Sequence, residues 1–182
     1  MKVVRYLLMT SGLTALGCPL LVDDNLEIVP ADSNETDQPV PVGCGVVSLP
    51  ASNATCPAIC DRCEGGQCVF ECSTQDACKE LELSCPEGFG CKVECTVQAA
   101  CTKAVVVCSP SYDCDVECAE IDACKEMNVR CSDGNCQMNC TVDGACEHAT
   151  VRCGTGQCGA ECLGPMAAPM LECGSTCACN PC

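Results

Sequence analysis

The chain has 182 residues, of which 27 are Cys, two Phe, two Tyr and none Trp, and its formal charge is −16. Aromatic and large aliphatic side chains are too scarce for an ordinary core. Cysteine at this density in a short chain points to a disulfide scaffold, where cross-links stand in for core area. The charge argues against nucleic acid and anionic lipid headgroups as partners, since both need a basic surface.

The first segment reads as an export signal. Lys2 and Arg5 form a positive start, and Tyr6 to Leu16 is a mostly apolar stretch of signal-peptide length. Residues 1–17 are therefore expected to be a signal peptide. Ala15-Leu16-Gly17-Cys18 resembles a bacterial lipobox, which makes Cys18 the expected lipidation site. Ala15 stands where that pattern usually has Leu, and Leu16 where it has a small residue. Ala15-x-Gly17 also suits an ordinary signal peptidase, so plain secretion is the second expectation. Loss of Lys2 and Arg5 would take the charge from −16 to −18. Parity agrees with an anchor: if Cys18 carries lipid, the 27 cysteines leave an even set for pairing. No other stretch is apolar for long enough to span a membrane as a helix.

Residues 18–55 read as a flexible acidic linker, lipid-anchored or free. Pro30, Pro39, Pro41 and Pro50 punctuate it, and residues 31–38 are polar without periodicity. Asn34, Asn53 and Asn139 each begin an N-x-Thr acceptor pattern, read as chance matches in a bacterial lipoprotein.

Residues 56–182 form the cysteine-rich repeat domain. The unit is C-x3-C-x5-C-x6-C, set by Cys68, Cys72, Cys78 and Cys85 and repeated from Cys91, Cys114 and Cys136. The repeats are 68–90, 91–113, 114–135 and 136–157, with a partial one over 158–182. Within each first cysteine pair, period-2 spacing puts both cysteines and the middle residue on one face. The middle residues are Phe70, Val93, Val116, Met138 and Ala160. Glu71, Glu94, Glu117, Asn139 and Glu161 then face outward. A second alternating run places Leu81, Leu83 and Cys85 on one face, as it does Ala104, Val106 and Cys108, and the runs ending at Cys131 and Cys153. Val105 and Val107 make an outward apolar patch. Ala77, Ala100, Ala123 and Ala145 precede the third cysteine and suggest a tight corner. Pro86-Glu-Gly, Ser109-Pro-Ser and Ser132-Asp-Gly mark turns to the next unit.

The expected fold is all-β: a small disulfide-stapled β-solenoid of about five coils of 22–23 residues, two short strands per coil, with Cys-rich caps. Candidate bridges around one corner are Cys72–Cys78, Cys95–Cys101, Cys118–Cys124 and Cys140–Cys146. For the fourth cysteine, Cys85–Cys91 and Cys68–Cys85 both remain open, as do bridges between adjacent coils. Cys44, Cys56, Cys60 and Cys63 before the repeat, and Cys173, Cys177, Cys179 and Cys182 after it, are expected to cap the ends.

Functional signals are few. Cys60-Asp-Arg-Cys63 and Cys179-Asn-Pro-Cys182 could be redox pairs or, with Cys177, a thiolate cluster. Without a helix start to activate a thiolate, and in an oxidising compartment, structural bridges are the expectation. Glu71, Glu94 and Glu117 would form a carboxylate ladder that calcium could relieve. Asn139 interrupts the row and no calcium-loop repeat accompanies it, so these residues are weak candidates and no metal or other cofactor is expected. His148, the one histidine, has no nucleophile context and reads as a surface residue.

The lipobox-like start, the acidic tether, the C-x-V-x-C…A-C…V-x-C units and the closing Cys-Gly-Ser-Thr-Cys-Ala-Cys-Asn-Pro-Cys resemble the cysteine-rich lipoproteins predicted in myxobacteria. The resemblance covers residues 56–182. It implies an envelope location and no known activity. The expectation is a non-enzymatic protein, exported to the outer cell envelope as a lipoprotein or secreted, serving as a structural or interaction scaffold. Its partner would be an envelope or extracellular protein, with membrane contact through the lipid anchor alone and no nucleic acid. The alternatives are a metal-binding thiol-rich protein and a disulfide-framed inhibitor or ligand.

Overall fold

The computed structural model describes Cys44 and residues 55–182. The expected signal peptide, Cys18, most of the linker, and Asn34 and Asn53 lie outside the described residues. The described chain is all-β. Its strands are β1 (Arg62–Glu64), β2 (Gln67–Cys72), β3 (Glu82–Ser84), β4 (Gly90–Cys95), β5 (Val105–Val107) and β6 (Cys114–Cys118), then β7 (Asn128–Arg130), β8 (Cys136–Cys140), β9 (Thr150–Arg152), β10 (Gln157–Cys162), β11 (Met170–Glu172) and β12 (Ala178–Asn180).

These strands build a β-solenoid. The longer strand of each coil joins one sheet, in the order β1-β2-β4-β6-β8-β10-β12, and the shorter strand joins a second, β11-β9-β7-β5-β3. Between coils every pairing is parallel and in register. Cys68 faces Cys91, Cys91 faces Cys114, Cys114 faces Cys136, and Cys136 faces Cys158. The register follows from the two-residue side-chain period. A one-residue slip would turn the cysteines and the middle apolar residue out to solvent.

The core is a thin column between the two sheets. Val93, Val116 and Met138 from the first sheet and Val106, Val129 and Val151 from the second are at most 1% exposed. Ala100, Ala123 and Ala145 are fully buried at the corner, where small side chains let the chain turn close to the axis. The first coil differs. Ala77 is exposed and Leu81 is 49% exposed, although the period-2 pattern put Leu81 inward. The cause is position: among the described residues no coil lies outside the first one to cover that corner.

The corner after the longer strand is a run of stacked β-turns. In the third coil Ala123 N donates to Glu120 O, Lys125 N to Asp122 O, and Met127 N to Cys124 O. The first and last of these turns hold Asp122 and Glu126 at φ 58° and 56°, a left-handed conformation that bulky residues rarely adopt. The same two positions are left-handed in the neighbouring coils, at Asp76 and Glu80, Ala99 and Lys103, and Gly144 and His148. Hydrogen bonds between coils hold them there: Glu80 N donates to Thr102 O, Lys103 N to Lys125 O, and Glu126 N to Glu147 O. At the opposite corner the backbones approach so closely that a Cβ on Gly154 would lie 1.7 Å from the carbonyl oxygen of Ser132.

Disulfides follow both corners. Along one run Cys72–Cys78, Cys95–Cys101, Cys118–Cys124 and Cys140–Cys146. Along the other run Cys85–Cys91, Cys108–Cys114, Cys131–Cys136, Cys153–Cys158 and Cys173–Cys179. The open choice at the fourth cysteine thus resolves to the next coil, because the turn brings it beside the following strand. The caps extend both columns. Cys60–Cys68 supplies the partner that a preceding coil would have given, and Cys162–Cys182 replaces the missing corner cysteine of the fifth coil. Cys56–Cys63 closes the first cap, and Cys44–Cys177 ties Cys44 to the last coil.

Candidate functional site

Among the described residues the interior is filled by sulfur, aliphatic side chains, Phe70 and Phe89, with Ser109 the one buried polar residue, and the charged side chains lie on the outward faces. On the first sheet, Glu71, Glu94, Glu117, Asn139 and Glu161 form one row in register. The row is not a bare carboxylate ladder. A Gly65-Gly66 turn, with φ of 58° and 86°, folds β1 back antiparallel on β2. That places Arg62 between the first two acids. Its guanidinium pairs with Glu71, and Nη2 lies 3.1 Å from Glu94 Oε1. Lys92 Nζ lies 2.7 Å from the same Glu94 oxygen. The hydrogen bond to Glu94 holds the Lys92 ammonium above the ordinary lysine range, against the opposing effect of its partial burial. Arg62 therefore stands where a cation bridging Glu71 and Glu94 would sit. Glu117 makes no ion pair among the described residues.

Arg62 carries no sequence motif of its own. The signal that finds it is the Gly-Gly pair between two short runs, a hairpin mark. A second polar contact crosses two coils. Gln67 Nε2 donates to Asp115 Oδ2 at 2.8 Å, passing over Gly90, which carries no side chain to block it. Burial pushes the Asp115 carboxyl above its usual range, the Gln67 hydrogen bond opposes that, and nearby Asp113 adds to the rise.

The corner presents a mixed row. Lys125 Nζ lies 2.6 Å from Glu147 and 3.2 Å from Asp122. The Glu147 hydrogen bond holds Lys125 above its ordinary range and, reciprocally, holds Glu147 below its own. His148 follows Glu147 with its side chain 74% exposed, and its Nε2 is 3.5 Å from Glu147 Oε1. On the second sheet Val105 is partly buried between Glu82 and Asn128, and Val107 between Ser84 and Arg130. The outward valines are thus flanked by polar side chains, and the apolar patch is small.

The CxxC cysteines are not bonded within their motifs. Cys60 joins Cys68 and Cys63 joins Cys56, while Cys179 joins Cys173 and Cys182 joins Cys162. Sulfurs of neighbouring coils do come close: Cys72, Cys78 and Cys101 lie within 4.8 Å of one another, as do Cys85, Cys91 and Cys114. In both triads every sulfur is already in a disulfide, and a disulfide sulfur has no thiolate to offer a metal. Two surface hollows are shallow. One of about 210 Å³ is lined by Asn139, Thr141, Glu161 and Leu163, and one of about 270 Å³ by Glu87, Pro110 and Tyr112.

Compared with protein-family models, curated proteins and solved structures, the chain matches none. The fold and its site chemistry therefore stand on this chain's own residues.

Proposed function

We propose that this protein is an exported, non-enzymatic scaffold: a rigid disulfide rod that presents outward residues to a partner in the cell envelope or outside it. The observation that carries the reading is the division of labour within each coil. Inward positions are spent on bridges and apolar packing, whereas among the described residues the outward positions hold short ion-paired rows and shallow hollows. Thirteen bridges use all the described cysteines, a density that belongs to an oxidising compartment. The basic start, the apolar stretch and the lipobox-like Ala15-Leu16-Gly17-Cys18 support export with a lipid on Cys18. The likeness to cysteine-rich myxobacterial lipoproteins supports the same compartment.

Two measurements test this. Intact mass with and without reduction, after alkylation of the native protein, counts free thiols. A count near zero fits the rod, and more than about six would favour the metal-binding thiol reading. Cell fractionation of the wild type and Cys18→Ser, with a labelled fatty acid, tests the anchor. The wild type should carry label and sediment with membranes. The variant should lose both, and a variant that kept both would overturn the anchor.

A further inference from the structure

Two stacked bridges meet at the last coil. Cys153–Cys158 closes the corner between the fourth and fifth coils, and Cys173–Cys179 closes the corner that follows the fifth. Arg152 pairs with Glu172 in register, and the next amide, that of Cys153, donates to Glu172 O at 3.0 Å, so Cys153 lies over Cys173. Cys158 pairs directly with Cys179 in the first sheet. The sulfurs of Cys153, Cys173 and Cys179 lie within 4.8 Å of one another, and all three residues are partly exposed. Neighbours on paired strands have Cα atoms about 4.8 Å apart, inside the range that a disulfide spans. The same four cysteines therefore admit a second pairing, Cys153–Cys173 with Cys158–Cys179, which runs along the rod instead of around its corners.

Exposure alone does not single out this pair; a third sulfur beside an accessible bridge does. Cys44–Cys177 and Cys162–Cys182 are accessible too, but among the described residues no third cysteine sulfur lies within 4.8 Å of both members of either. In the groups of the inner coils at least two of the three cysteines are buried. At the first cap Cys60 lies beside Cys56–Cys63, where exchange would still join the cap to the same first coil.

We propose that the last coil is a thiol–disulfide exchange site for a low-molecular-weight monothiol, which acts there as a catalyst. Its thiolate attacks Cys179 Sγ, forms a mixed disulfide and releases Cys173 as a thiolate. Cys173 attacks the adjacent Cys153 Sγ, breaks Cys153–Cys158 and frees the Cys158 thiolate. Cys158 attacks Cys179 Sγ across the strand pairing and expels the monothiol as a thiolate. Two protein bridges are lost and two are made, no electrons are gained, and the monothiol leaves as it came. The fourth and fifth coils, joined before by a corner bridge, become cross-linked lengthwise. The exchange gives the end of the rod a covalent lock and does not depend on any anchor.

The full oxidised chain is incubated with substoichiometric glutathione under native, mildly alkaline conditions, quenched with N-ethylmaleimide in acid, cut with pepsin and mapped by peptide mass. The released Cys173 meets Cys153 at an effective concentration on the order of mM, far above that of the added thiol. Cys153–Cys173 and Cys158–Cys179 should therefore appear while the mass of the whole protein stays unchanged. Non-native partners of Cys118 and Cys124 should be at least about tenfold rarer. C179S carries the Cys173 thiol from the start and needs no glutathione. It should show the Cys153–Cys173 bridge, with alkylation on Cys158. The wild-type map decides the matter even if that variant folds poorly. A wild-type map that keeps only the native bridges at these four residues, or that re-pairs Cys118 and Cys124 as readily, would overturn the proposal. So would a folded C179S alkylated on Cys173 alone with Cys153–Cys158 intact.

Discussion

Removing a bridge from a solenoid costs free energy by two routes, and this protein separates them. Cys44–Cys177 closes a loop with a separation of 133 between partly exposed residues. Cys118–Cys124 closes one of 6 between fully buried residues. In the chain-entropy relation the long loop is worth about 5 kcal/mol. The local bridges cut its contour to roughly 80 residues, which lowers that only to about 4.5 kcal/mol because the dependence is logarithmic. The short loop is worth about 2.4 kcal/mol. Its two buried sulfurs add a packing loss of about 1 kcal/mol each when both become Ala. C44S/C177S and C118A/C124A should therefore lose similar free energies, each about 4 to 5 kcal/mol. They should differ in the denaturant slope. Losing the long cross-link lets the unfolded chain expand, so m rises for C44S/C177S and stays near wild type for C118A/C124A. Guanidinium unfolding of the oxidised proteins reads both quantities. A loss under about 1.5 kcal/mol for C44S/C177S, or equal slopes for the two variants, would refute the loop argument.

Other outcomes follow from single side chains. Gly154→Ala forces a Cβ into the Ser132 carbonyl and should cost more than about 3 kcal/mol or abolish folding. Gly88→Ala, at φ 83° with open space around it, should cost only about 1 kcal/mol, and thermal melts rank the two. Met127→Ala empties the fully packed third coil and should cost about 3 kcal/mol, against under about 0.5 kcal/mol for the 54%-exposed Ile121→Ala in the same melts. Asp115 has a raised carboxyl pKa in the folded state, so the stability it contributes is full below the usual carboxylate value and is lost as pH rises through the raised one. Asp115→Asn should therefore raise the melting temperature near neutral pH, and the gain should vanish in acid below the ordinary value of 3.8. A gain that is the same at both pH values would remove burial of the charge as the cause.

The amino-acid sequence by itself determined the coil. Cysteine spacing set its length, and period-2 alternation around Phe70, Val93, Val116 and Met138 chose the inward face. Both are local patterns, and a stacked repeat needs nothing longer-ranged than its neighbour to express them. Tertiary structure decided what depends on contacts between coils and at the ends. Leu81 obeys the pattern and is still exposed, because burial there requires a further coil, and among the described residues none lies beyond the first rung. Glu80, Lys103, Glu126 and His148 take a left-handed backbone that their own preferences disfavour; inter-coil hydrogen bonds at Glu80, Lys103 and Glu126 outweigh that preference. Arg62 reaches the glutamate row only after β1 folds back on β2. Cys44 pairs with Cys177 across a separation of 133 that no spacing rule addresses. The carboxylate row was legible in sequence, and Lys92, two residues before Glu94 on the same strand, shares its outward face by the same period-2 pattern, whereas Arg62 owes its place to the β1–β2 pairing.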